Sequence, residues 1–463
     1  MGIKSWLFGR TPSDNPDSAL MAFYQNDMLR WDEIRKGGGS WRYARKGGLN
    51  GGTRRVAALN AAKAVCAELT RLCFSEGTSL CFEDAETERF VKSVLDDNCF
   101  STRFPELLER AFALGGCAVK AYADGGKVKL DFVPADCFFP TRWNSAEITG
   151  AAFASKITDG ARRYTLVQKQ ELTADGYLIE NRLFTENGAA AQLDSVLPQL
   201  AAKSVINGLD KPLFVYFRTG SGCVDECPVL GASVFASAED TLKSLDMIFD
   251  SLNREFILGR KRIIVPSYAI RGEYDEKGEL KHWFDVNDEV FQALSASDSD
   301  ELKITDNTAE LRVTEHLDAI GALLDTLCMQ TGLSEGALSY KDGSIRTAAE
   351  VISRNSRTYR TRMFYRRMIA QGMQRVAANV CVLGKMCGLL SDNASENCSI
   401  MFADGVEDDE NSRVDRAVKL FSAGIISKTR AIAQIYGISL EEAQEMERRD
   451  FNGGRDYSGN DRG

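Results

Sequence analysis

Histidine is nearly absent from this chain: His282 and His316 are the only two in 463 residues. That leaves little room for a histidine acid–base pair or a Ser–His–Asp triad, and each reads as an ordinary surface or core residue. No run reaches the roughly 20 apolar residues that a membrane-spanning helix needs. The most apolar C-terminal run, "VAANVCVLGKMCGLL", is broken by Asn379 and Lys385. The N-terminus "MGIKSWLFGRTPSDNPDS" lacks the apolar centre of a signal peptide, and Trp6 stands where a myristoylation signal needs Ser or Thr. These absences predict a cytosolic chain, neither secreted nor lipidated, with no membrane partner.

A nucleotide-binding P-loop is missing too. The stretch "KGGLNGGTRR" at 46–55 is Gly-rich but lacks the GK[ST] ending and follows no convincing strand, so it reads as a mobile basic arm. Twelve cysteines are scattered mostly through apolar segments, which predicts reduced, buried thiols. Cys223 and Cys227 in "CVDEC" have metal-like spacing, but no second pair or histidine lies nearby to complete a tetrahedral site. The acidic run "DGVEDDENSR" at 404–413 lacks the Gly and Glu spacing of an EF-hand and reads as a solvated loop. No catalytic residue, metal site or cofactor is expected. With 66 acidic against 57 basic residues and a net charge of -9, the chain as a whole is not built to grip nucleic acid by counterion release. An acidic protein can still surround DNA without holding it.

What is present is ordered in blocks. Residues 1–52 hold much Pro, Ser and Gly, with Trp31 and Trp41 as the large anchors, and read as an irregular arm. Apolar spacing predicts helices over 54–72, 84–97 and 104–114. Between 115 and 220 the period falls to two, with hairpins turning at Asp124-Gly125-Gly126 and at Asp175-Gly176. Pro134 and Pro140 bracket "ADCFF" and disfavour central-strand pairing there. The fold class is therefore α+β with an antiparallel sheet. A helix restarts near Ala236, with Ser237 able to cap it, and a small β-rich insert separates it from a second helix, "EHLDAIGALLDTLCMQTG".

The loop "GLSEGALSYKDGSIR" then interrupts the helical pattern, and 347–390 could form some 44 residues of helix, about 65 Å long if unbroken. Residues 346–375 carry eight arginines against a single acid, Glu350. Such a stripe needs an anionic partner, either acids of a neighbouring segment or subunit, or DNA phosphate. Two short helices at 411–423 and 427–434 and a third from Ser439, where "SLEE" resembles a capping box, end the chain.

Four blocks in this order carry a resemblance: "CPVLGASVFASAEDTLKSLDMIFDSLNREF", "GRKRIIVP", "TGLSEGALSYKDGSIRTAAEVISRNSRTYRT" and "FADGVEDDENSRVDRAVKLFSAGIISKTRAIAQIYGISLEEAQEME". Over about residues 30–450 the chain resembles the portal proteins of long-tailed phages and of prophages of Gram-positive bacteria. The resemblance implies a non-enzymatic homo-oligomeric ring, most often of twelve subunits, at the unique capsid vertex. Double-stranded DNA would pass through it, and the terminase large subunit, a head-tail adaptor, and the major capsid and scaffolding proteins would be its partners. By the same resemblance, 1–52 is an arm, 53–235 the wing, 236–259 and 314–331 the stem helices, 260–313 the clip, and 332–346 a tunnel loop. The long wing helix is 347–390, and 391–463 a crown with a flexible tail. Leu338, Ser339, Tyr340, Lys341, Asp342 and Gly343 would then reach the channel, and Arg354, Arg357, Arg360, Arg366 and Arg367 would face a neighbouring subunit. A minor head or scaffold protein without a channel is the competing reading.

Overall fold

The computed structural model describes residues 24–45, 52–74, 78–144, 147–220, 223–224, 227–258, 310–339, 356–402, 410–422, 424, 426–436 and 443–448, together with short strands at 263–264, 272–274, 280–282 and 305–306. Within residues expected to be irregular, the chain forms a π-type turn (Tyr24–Met28), helix α1 (Leu29–Arg35), a 3-10 turn (Ser40–Arg42) and strand β1 (Tyr43–Arg45). β1 pairs with β2 (Thr53–Arg55), Tyr43 opposite Arg55. This corrects two expectations: 24–45 is not irregular, and Arg54 and Arg55 end a strand rather than open a helix. Helix α2 starts later, at Ala61–Cys73, after Asn60 adopts a left-handed φ of 56°. The apolar period over 54–60 was real but is used by extended chain, whose backbone N–H groups at Ala57 and Leu59 donate to carboxylates of a distant helix.

Strand β3 (Ser79–Phe82) leads to α3 (Ala85–Asp97), which begins where expected because the Asp84 carboxylate accepts from the N–H groups of Glu86 and Thr87. Helix α4 (Phe100–Leu114) starts four residues before the expected boundary. Pro105 looks like a helix start, but here it sits inside the helix and forgoes one backbone bond.

The two predicted hairpins are present. Strands β4 (Gly116–Asp124) and β5 (Lys127–Pro134) close over Gly125 and Gly126, whose φ values of 56° and 74° suit a tight hairpin turn. The larger sheet comprises β6 (Phe138–Trp143), β7 (Ile148–Asp159), β8 (Arg162–Thr173), β9 (Gly176–Thr185), β10 (Ala190–Ala191) and β11 (Lys203–Ile206). Its antiparallel order is β10-β9-β8-β7-β6, with β11 also on β9. Pro140 lies in β6, the edge strand, where the missing N–H costs no ladder bond. Strand β12 (Phe214–Arg218) joins β4 to complete a three-stranded sheet, and β13 (Cys223–Val224) pairs with β14 (Cys227–Gly231). Lys120 ties the two larger sheets together: its Nζ donates to Gln168 Oε1 at 3.0 Å and pairs with Asp131 at 3.2 Å.

Ser237 lies in a 3-10 turn at Ala236–Ala238, and α5 (Glu239–Leu258) follows it directly. The expected β insert is represented by β15 (Ile263–Ile264) paired with β18 (Thr305–Asp306), and β16 (Gly272–Tyr274) paired with β17 (Leu280–His282). Then follow α6 (Val313–Thr331) and α7 (Ser356–Met386). At 31 residues α7 is about 46 Å long, and 347–355 of the expected helix lies outside the described residues. It crosses the three-stranded sheet and buries Tyr365, Ile369, Met373, Val376 and Val380, one stripe at helical spacing. Tyr365 meets Phe112 edge-on at 5.0 Å, and Phe104 meets Phe217 at 5.1 Å. Phe104 and Phe112 are fully buried, each contributing roughly 1.5–3 kcal/mol by leaving water.

Strand β19 (Cys398–Met401) pairs with β3, Cys398 opposite Phe82. Part of the stretch expected to be crown, 391–463, therefore pairs with a strand of the N-terminal half. Two short helices follow near their expected places, α8 (Glu410–Ser422) and α9 (Lys428–Tyr436), and 443–448 is helical. Most of the acidic run at 404–413 and the capping box at Ser439 lie outside the described residues. No helix among the described residues is long and apolar enough to cross a membrane.

Candidate functional site

Helices α5 and α6 form an antiparallel hairpin. Their register is fixed where Arg312 pairs with Glu255 at 3.3 Å and His316 Nε2 meets Ser251 Oγ at 3.2 Å. Leu242 and Leu245 of α5 and Ile320, Leu324 and Leu327 of α6 are buried. Met247, Phe256, Ile257 and Leu317 are exposed apolar side chains on the same hairpin. No Lys or Arg occurs in α6, and Glu315, Asp318, Ala322 and Asp325 recur along one side of it. The hairpin thus combines an apolar seam with an acidic, cation-free stripe.

A feature with no local sequence signal grips the base of α5. Glu239, Asp246 and Asp250 lie seven and four residues apart, on one helical face, and each is met by the N-terminal segment. Trp31 Nε1 donates to Glu239 at 2.9 Å, and Arg30 pairs with the same carboxylate at 3.0 Å. Trp41 Nε1 donates to Asp246 at 2.9 Å, and Arg42 pairs with it at 3.0 Å, both charged side chains being about 95% buried. Arg54 grips Asp250 with two bonds of 2.7 and 2.6 Å, and the Ala57 N–H adds a third at 3.0 Å. The Arg54 guanidinium holds the Asp250 carboxyl below its usual range. The region expected to be a mobile basic arm therefore supplies, at Arg54, a fixed anchor.

The loop after α6 opens on Gly332, in the left-handed region at φ 81°, and its carbonyl accepts from Thr361 Oγ1 at 2.7 Å. Leu333 is fully buried. Ser334 and Thr358 exchange bonds, N–H to hydroxyl in both directions, at 2.8 and 3.1 Å. Gly336 N–H donates to Asp325 at 2.9 Å. Leu338 packs partly against the core and the Ser339 N–H closes a turn on Gly336. The first half of the expected loop is therefore pinned to its own chain. Tyr340, Lys341, Asp342 and Gly343 lie outside the described residues.

The arginine stripe divides. Arg362 and Arg366 point inward, Arg366 lying over the Phe402 ring at 5.0 Å with only 6% of its surface exposed. It serves its own subunit rather than an outer face. Arg357, Arg360 and Arg367 are exposed, share that face with Tyr359, Met363 and Phe364, and have no acidic partner among the described residues. Arg375, further along, pairs with Glu147, just before β7, at 2.6 Å. Arg354 lies outside the described residues.

The described cysteines are free, and burial pushes the Cys73 thiol up to about 12, away from the reactive thiolate. No group of three His, Cys, Asp or Glu side chains that could hold a metal occurs among the described residues.

The sequence family described as phage portal protein, SPP1 Gp6-like, matches residues 49–451. The chain belongs to that family. It is thus a portal protein, a structural virion component of the genome-packaging channel and not an enzyme. Comparison with curated protein sequences finds no match. Among solved structures the chain is similar to one from the virion of a native gene transfer agent particle, at 13% identity and a TM-score of 0.40. It is also similar to one from the neck of an empty gene transfer agent particle computed with C6 symmetry, at 13% identity and a TM-score of 0.41. Each likeness covers 82% of this chain and 89% of the other.

Proposed function

We propose that copies of this portal chain close into a ring, of twelve subunits, at one capsid vertex, and that double-stranded DNA passes through its centre during packaging and ejection. The observation that carries this reading is the α5–α6 hairpin, whose exposed apolar positions suit side-by-side packing and whose cation-free acidic stripe suits a wall that DNA must slide along. In this reading the hairpin is the stem, 260–313 the clip, 332–346 the tunnel loop, α7 the wing helix and α8–α9 part of the crown. The terminase large subunit docks during packaging and a head-tail adaptor afterwards, within a shell of major capsid and scaffolding proteins.

Leu338 and Ser339 form the fixed root of the loop, and Tyr340 to Gly343 its tip toward DNA. One lysine, Lys341, gives a weak, salt-screened phosphate contact that can follow a moving duplex without anchoring it. Arg357, Arg360 and Arg367, with Arg354, contact acids of the neighbouring subunit, whereas Arg366 is already engaged at home. Deleting Ser339 to Gly343 should leave ring assembly and procapsid incorporation normal and reduce packaged DNA. Full packaging by that variant would remove the loop from the channel, and loss of the ring would assign these residues to the interface.

A further inference from the structure

We propose that the described residues 24–45 and 52–59 form a strap that sets and locks the angle at which the stem hairpin leaves the wing. Lifting the strap would then free the stem to pivot without unfolding the wing. On its inner side the strap is part of the wing core, through Met28, Trp31 and Ile34, which pack with α2 and α4. On its outer side it holds α5 at three points spread over three turns, through Glu239, Asp246 and Asp250.

The position of the last point matters most. Asp250, which Arg54 grips, is the final fully buried residue of α5 among those described, and past it only Leu252 still packs partly against the core. Beyond Asp250 the polar contacts of α5 reach α6, through Ser251 and Glu255. The remaining eight residues extend about 12 Å. A lever of that length turns a small rotation at Asp250 into a displacement of several ångströms at its tip, and repetition around a ring would misalign every neighbour. The bond types suit a lock: each carboxylate takes a charged donor and a neutral N–H donor, either indole or backbone, so orientation is fixed as well as charge.

Arg54→Glu in the full chain opposes Asp250 with like charge. Hydrogen exchange should then quicken roughly tenfold to a hundredfold in 53–59 and in the second half of α5, with the β8 amides of Arg162–Thr173 unchanged as an internal control. Adding Asp250→Lys should restore most of the protection. Arg54→Gln, a milder change, should give the same pattern at smaller amplitude if the reversal proves insoluble. Strap exchange that quickens while α5 stays protected would overturn the proposal, as would a charge swap that rescues nothing. All these contacts lie within one chain, so the result is independent of whether the protein forms a ring.

Discussion

Gly115→Ala is expected to be among the most damaging single substitutions in the protein. Gly115 ends α4 at φ 87°, a region that costs an L-residue roughly 1–2 kcal/mol. An added Cβ would also collide with the backbone carbonyl of Gly231, an atom that cannot rotate away as a side chain can. Thr219 N–H donates to the Gly115 carbonyl at 3.0 Å, and Val234 N–H donates to Phe112, so three chain segments meet there and none can yield alone. The combined cost is about 3–5 kcal/mol, read as loss of soluble protein or a large fall in the denaturation midpoint. Gly125→Ala is the control. It has φ 56° but open space around it, so it should cost only about 1 kcal/mol.

Arg357→Glu together with Arg360→Glu should shift the assembled protein toward monomers by at least about tenfold in dissociation constant. Both side chains are exposed and unpaired by described acids, so reversal leaves the subunit's circular dichroism and melting unchanged while placing like charges against the neighbour. Arg366→Glu should do the opposite, because that side chain is buried over Phe402: the subunit itself loses stability. Size-exclusion chromatography and a thermal melt on the two variants separate the roles. Rings that persist in the Arg357/Arg360 variant but bind DNA less tightly would assign this face to phosphate.

How legible these features were depends on how local their causes are. α3, α5, α6 and the hairpins at Gly125 and Gly176 are readable because periodicity, caps and turn residues lie within a few positions of one another. The strap was not readable, since Arg42 and Asp246, or Arg54 and Asp250, are about 200 residues apart and carry no mark of partnership. The same holds for β19, which joins β3 across more than 300 residues. The stripe of eight arginines was visible as a count, but only the packing of α7 separates Arg366, turned inward, from Arg357 and Arg360, turned out. In the loop, glycine and serine content suggested freedom throughout, whereas Leu333 and the Ser334–Thr358 exchange tie its first residues down.

Electron-microscopic imaging of the purified full-length chain tests the central claim most directly. The account predicts a closed ring with rotational symmetry and a central hole wide enough for duplex DNA, the stem hairpins of adjacent copies side by side around it. A closed particle without a hole, or a chain that stays monomeric at high concentration, would contradict it.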